Sequence, residues 1–168
     1  NCPTQTLVDA YELKDSGERP DKKADYDKNK PYYEGRDPRF EKTIAKNGDT
    51  KWPNWNETAL ETYQGGANAE PLSGGTPTGY YLKKYCQTSI NTTTAKPTTD
   101  NHTWIIYRLG EFYLNYAEAL FKYLGTAYAT NNEFPIPANE MVSKTRRRTK
   151  VNMPKFPAGL DNKLWWEK

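Results

Sequence analysis

Apolar residues recur at helical spacing most clearly between Trp104 and Leu124. Ile105, Leu109, Phe112, Tyr116 and Leu120 share one face, and Ile106, Tyr113, Ala117, Phe121 and Leu124 cover a neighbouring one. Arg108, Glu111, Asn115, Glu118 and Lys122 form the remaining polar stripe, at steps of three and four. The pattern predicts an amphipathic helix over 104–124, capped by Asn101 or Thr103 and closed by Gly125. An apolar arc this wide needs partners on two sides, as in stacked helix pairs. The rest of the sequence does not obviously supply them.

Weaker patterns flank this helix. Leu7, Val8, Tyr11 and Leu13, after a Thr4 cap, predict a short helix within residues 1–14. Asp37 and Pro38 mark a second helix start, with Phe40 and Ile44 anchoring it to a core. Asn47-Gly48-Asp49 signals a turn. Residues 51–77 are rich in Gly, Asn, Pro, Trp and Tyr without a period, which predicts a long irregular segment. Tyr80 to Cys86 reads as a short aromatic strand. Further helices are expected from about Ala138 to Lys150, with Met141, Val142 and Thr145 inward, and from Leu164-Trp165-Trp166.

Composition changes the picture in one respect. Only 35% of the 168 residues are hydrophobic, yet 14% are aromatic, with 13 Tyr and 5 Trp beside 12 Pro and 11 Gly. Disordered chains are poor in aromatics, so the chain should fold, with much irregular structure and little aliphatic core. The net charge of +3 gives no case for nucleic acid. The one dense basic run, Arg146-Arg147-Arg148, reads as a helix end, where cations complement the dipole. Cys2 and Cys86 make no disulfide framework, and spacing leaves open whether they pair. No apolar signal or membrane segment is visible.

Candidate catalytic chemistry is thin. Glu111 and Glu118 lie about 10 Å apart along the helix at two turns' spacing, within reach of an acid–base pair. Arg108 and Lys122 stand three and four residues away, however, and an ion-paired carboxylate makes a poor general acid. His102 is the only histidine. With two distant cysteines it gives neither a metal-ligand spacing nor a nucleophile–base pair. The run DYDKN at 25–29 lacks the glycine and terminal glutamate of a calcium loop. No metal or cofactor is expected. The sequons at Asn56, Asn91 and Asn101 mark polar loops.

Four stretches together carry a family resemblance: NCPTQTLVDAYEL (1–13), YYEGRDPRF (32–40) with NGDTKW (47–52), TGYYLKKYC (78–86) and WIIYRLGEFYLNYAEAL (104–120). In that order they resemble the SusD/RagB family of nutrient-binding outer-membrane lipoproteins. VSKTRRRTKVNMP (142–154) is similar to the family's following helix, with Thr145 in place of an aliphatic and Thr149-Lys150 in place of Ala-Gly. The resemblance implies a mainly α fold of tetratricopeptide-like helix pairs, an α-α superhelix with long irregular loops and little β. It implies glycan capture at the cell surface without catalysis, delivery to a SusC-like TonB-dependent transporter, and a lipid anchor outside this chain. Family members are roughly three times longer. Residues 1–168 therefore read as part of a single domain, lacking the N-terminal scaffold and the extreme C-terminus.

Sugars need flat apolar faces beside amides or carboxylates. Trp52, Asn54 and Trp55, with Tyr63 and Gln64, have that mixture on the long irregular segment. Trp52 has a rival reading as scaffold packing, because the family often places Trp after its NG turn. Tyr80, Tyr81 and Tyr85 alternate around the strand candidate, so one face is expected in the core and the other exposed. Of these, Tyr81 joins the candidate set, and Tyr32 and Tyr33 are a weaker set. Much of the family's aromatic platform comes from chain that precedes this sequence. A peptide ligand within the same family, or a helical-repeat scaffold binding only a protein, fits the sequence as well.

Overall fold

The computed structural model describes residues 2–27, 33–53, 56–91 and 93–168. Its regular structure is mainly helical with little strand. The chain divides into two units: Asn1–Leu13 with Glu18–Thr103, and Lys14–Gly17 with Trp104–Lys168.

In the first unit, α1 spans Gln5–Asp9, and the Thr4 hydroxyl accepts from the Leu7 amide at its start. The helix is shorter than the apolar pattern suggests. Arg36 donates Nη1 to the carbonyls of Val8 and Tyr11, taking up acceptors that a longer helix would use internally. Leu13 then bridges Arg36 in an extended stretch. The second helix, α2, runs Pro38–Thr43 with Asp37 as its cap, as the sequence predicts. Phe40 and Ile44 are fully buried, with Val8 and Tyr80, and Tyr11 and Tyr33 pack around them.

A two-stranded antiparallel pairing follows. β1 (Ile44–Ala45) lies beside β2 (Tyr81–Leu82), Ile44 opposite Leu82 and Ala45 opposite Tyr81. The strand expected to reach Cys86 stops at Leu82. Tyr85 has a φ of 63°, and the Cys86 amide donates back to the Lys83 carbonyl, so the chain turns there. Both cysteines are free thiols.

In the second unit α3 occupies Leu109–Leu124, not 104–124. Arg108 is extended and its side chain makes no capping bond, so neither Asn101 nor Thr103 caps this helix. Ile105, Ile106 and Tyr107 are β-branched or aromatic, among the weaker helix formers, and all three are exposed. Gly125 closes the helix at a φ of 72°, with its amide on the Phe121 carbonyl. The next helix, α4, covers Ala138–Arg146 and packs on α3. It ends short of Lys150 because Arg148 accepts from Val151 and Asn152 in a tight turn. The last helix, α5, covers Asn162–Glu167 with Asp161 as its cap. Trp165 stacks on Phe121 at 4.8 Å and donates its indole N–H to Asn139.

The arginine run is spent on this packing. Arg146 is buried, donating to the Pro154 carbonyl with its guanidinium over Phe156. Arg147 pairs with Glu140, and Arg148 donates to the Thr145 carbonyl. No described helix is long and apolar enough to cross a membrane.

Candidate functional site

The irregular segment after β1 is folded by short polar links. Two backbone bonds tie Leu60 to the turn at Gly48: the Gly48 amide donates to the Leu60 carbonyl and the Leu60 amide to the Asp49 carbonyl. The Asn47 side chain accepts from the Thr62 amide. Farther on, the chain doubles back between Glu61 and Asn68. The Asn68 amide donates to the Glu61 carbonyl, and the Asn68 side-chain oxygen accepts from the Glu61 amide. Gly66 permits this fold-back, because a Cβ there would stand 2.4 Å from the Glu61 carbonyl oxygen.

These links shape a cleft of about 550 Å³, within the range of small-molecule sites. Trp52 and Tyr81 form its aromatic wall, with ring centres 5.9 Å apart and planes at 32°. Asn56, Thr58, Glu61 and Asn68 add polar groups. Tyr81 is fixed from behind: its hydroxyl is directed at the carbonyls of Asn68 (2.9 Å) and Gly74 (2.8 Å). Burial raises the Tyr81 phenol above its ordinary pKa and keeps it neutral. The Trp52 indole N–H is buried without a hydrogen-bond partner among the described residues.

Beneath β1, Asp49 receives two ammonium groups, Lys46 and Lys83, each at 2.7 Å. Burial would raise its carboxyl, but these hydrogen bonds prevail and hold it below the usual value. A second network lies under α1. Asp9 accepts from Gln5 and from Tyr26, and Tyr80 donates to Gln5. Burial, then the bond to Asp9, pushes the Tyr26 phenol up to about 12. Burial and the bond with Tyr33 push Tyr80 up as well.

Over residues 1–158 the sequence matches the SusD family. The chain belongs to the SusD family. Two solved structures are similar to it across nearly its whole length. A SusD-like protein from Bacteroides fragilis NCTC 9343 shares 28% identity at a TM-score of 0.73, covering 99% of this chain and 32% of that one. A SusD-like carbohydrate-binding protein from the same strain shares 25% identity at a TM-score of 0.68, covering 98% and 31%. This SusD-family chain thus spans about a third of the length of those structures. No curated protein matches it.

The residues singled out in the sequence divide between different surfaces. Trp52 and Tyr81 both line the cleft, and the Trp52 ring packs on Tyr81. Asn54 and Trp55 lie outside the described residues, as does Tyr32. Tyr63, more than half exposed, borders a separate hollow of about 290 Å³ with Gln5, Tyr33, Asn47 and Tyr80. Gln64 is exposed and lines neither cleft. Tyr80 is a core residue and Tyr85 packs edge-on to His102. Glu61 and Asn68 were not anticipated. Their signal was present: two polar residues seven apart enclosing a Gly-Gly pair.

The carboxylate pair on α3 is arranged differently from its expected ion pairing. Lys122 sits over the Trp166 ring at 4.4 Å, and no ion pair joins it to Glu118 among the described residues. Glu118 borders a shallow hollow of about 210 Å³ with Leu114, Val142 and Trp166, and Glu111 is not among its walls. Among the described residues no cluster of His, Cys, Asp or Glu has a metal-binding arrangement.

Proposed function

We propose that this SusD-family chain contributes to non-catalytic glycan binding at the bacterial cell surface, and that the Trp52–Tyr81 cleft is a sugar-contacting surface. The observation that carries the reading is the Trp52–Tyr81 aromatic wall in a cleft also lined by Asn56, Glu61 and Asn68. A pyranose lays its C–H face on such rings while its hydroxyls bond to amide and carboxylate groups. The carbohydrate-binding description of one solved relative supports the same class of ligand.

The wider assignment rests on the family. The full-length protein would be held at the outer membrane by a lipid anchor and would pass oligosaccharide to a SusC-like TonB-dependent transporter. Its scaffold would be tetratricopeptide-like helix pairs, most of them contributed by polypeptide beyond these 168 residues. The exposure of Ile106, Leu109 and Phe112 supports this, because large apolar side chains clustered in sequence are covered in most folded proteins. Asn54, Trp55, Tyr63 and Gln64 remain candidates for ligand contact beside the cleft.

Isothermal calorimetry of the full-length protein against neutral oligosaccharides and peptides tests the reading. Saturable heat with at least one oligosaccharide is expected. Binding to peptides with no response to any sugar would overturn it.

A further inference from the structure

The α3–α4 unit carries an aromatic enclosure that the glycan reading does not use. Tyr116, Leu120 and Tyr123 lie on one face of α3 at helical spacing, with Ala119 beside them. The loop residues Glu133 and Phe134 close the other side, and the space between is about 380 Å³. Tyr116 and Tyr123 both stand edge-to-face with Phe134, at 66° and 76° and ring separations of 6.3 and 5.9 Å. The loop holds Phe134 in place. Its amide donates to the Asn131 side chain at 2.7 Å, and its carbonyl accepts from the Asn131 amide. Leu120 is buried at the base, while Tyr123 is 69% exposed at the mouth.

We infer that this enclosure is a binding site for a small organic ammonium group. Tyr116 and Tyr123 each stand steeply to Phe134 around one space, and ring faces attract cations through their quadrupole. Glu133 supplies a negative charge at the wall, and among the described residues no Lys or Arg lines the space to oppose a cation. Ala119 is the small residue that leaves room between the tyrosines. A neutral apolar guest would gain only the burial contribution. A trimethylammonium group gains burial and the electrostatic attraction together, at the modest cost of desolvating a diffuse charge.

The test is a calorimetric or NMR titration of the full-length protein with choline and, separately, with its neutral isostere 3,3-dimethylbutanol. Choline should bind about 5- to 10-fold more tightly than the isostere. Tyr123→Leu keeps apolar bulk at an exposed position, so the fold should be unaffected. It should remove most of that preference by weakening choline more than the isostere. Glu133→Gln should weaken choline alone, by about 3-fold. Equal binding of the two guests would reduce the enclosure to an ordinary apolar hollow and overturn the inference, as would the absence of saturable choline binding. Sugar affinity is read at the other cleft, so either result leaves the glycan reading where it stands.

Discussion

At the scale of single residues, charge and burial are set against each other most sharply at Asp49. Its carboxylate is held below its ordinary pKa by Lys46 and Lys83 despite burial. The unfolded chain therefore takes up this proton at a higher pH than the folded one. Stability from the group is present above the unfolded value and is lost as pH falls through the folded value. Urea unfolding followed from pH 7 to pH 2 should show that acid loss. Asp49→Asn should cost about 1–3 kcal/mol at neutral pH and flatten the acid limb. Tyr26 acts at the other end of the scale. Its phenol is raised to about 12, so its contribution is intact below the unfolded tyrosine pKa and is lost as pH rises through 12. Absorbance titration of the phenolates should find one late-ionising tyrosine fewer in Tyr26→Phe, with Tyr80 still ionising late.

The same scale shows what the sequence made legible. Asp37, Pro38, Phe40 and Ile44 announced a capped and anchored helix through local chemistry alone, and they occupy those roles. Arg36 could not be read this way. Its bonds to the Val8 and Tyr11 carbonyls cross more than twenty residues, and they decide where α1 ends. Ser143 and Arg146 were likewise unreadable as buried groups, because their partners at Phe156 and Pro154 come from a later loop.

At the scale of elements, glycines control two structures. Gly125 ends α3 in the left-handed region with open space around its Cα. Gly125→Ala should therefore lower stability by about 1 kcal/mol through backbone strain alone, measurable by thermal or denaturant unfolding. Gly66 is different, since a methyl group there collides with the backbone at Glu61. Gly66→Ala should displace the Glu61–Asn68 fold-back and reshape the cleft. Backbone NMR shifts concentrated in residues 56–81 would report it. Helical periodicity placed α3 and its end correctly, but overran its start by five residues. Apolar spacing continued through Trp104 to Arg108, where tertiary packing did not. The cleft was half legible: Trp52 and Tyr81 stood out as aromatics, whereas the fold-back that brings Glu61 and Asn68 to them has no period to read.

At the scale of the whole molecule, each unit has its own cluster of buried side chains. The family match spans both, over 158 residues. Apolar residues from Trp104 to Phe112 stay in water on this chain. We expect the 168-residue chain to bind 8-anilinonaphthalene-1-sulfonate. If further helices of the family fold pack on this surface, the dye signal should fall for a polypeptide of the family's full length. Equal dye binding by both would mean that the patch serves something other than intramolecular packing.

The central claim is that Trp52 gives the glycan its apolar platform. Calorimetry of the full-length protein with its best-binding oligosaccharide, comparing Trp52→Ala with Trp52→Phe, tests it most directly. Stacking on one aromatic residue is worth about 1–2 kcal/mol, so the alanine variant should bind roughly 10-fold more weakly and the phenylalanine variant should keep most of the affinity. Unchanged affinity in Trp52→Ala would contradict the assignment of this cleft.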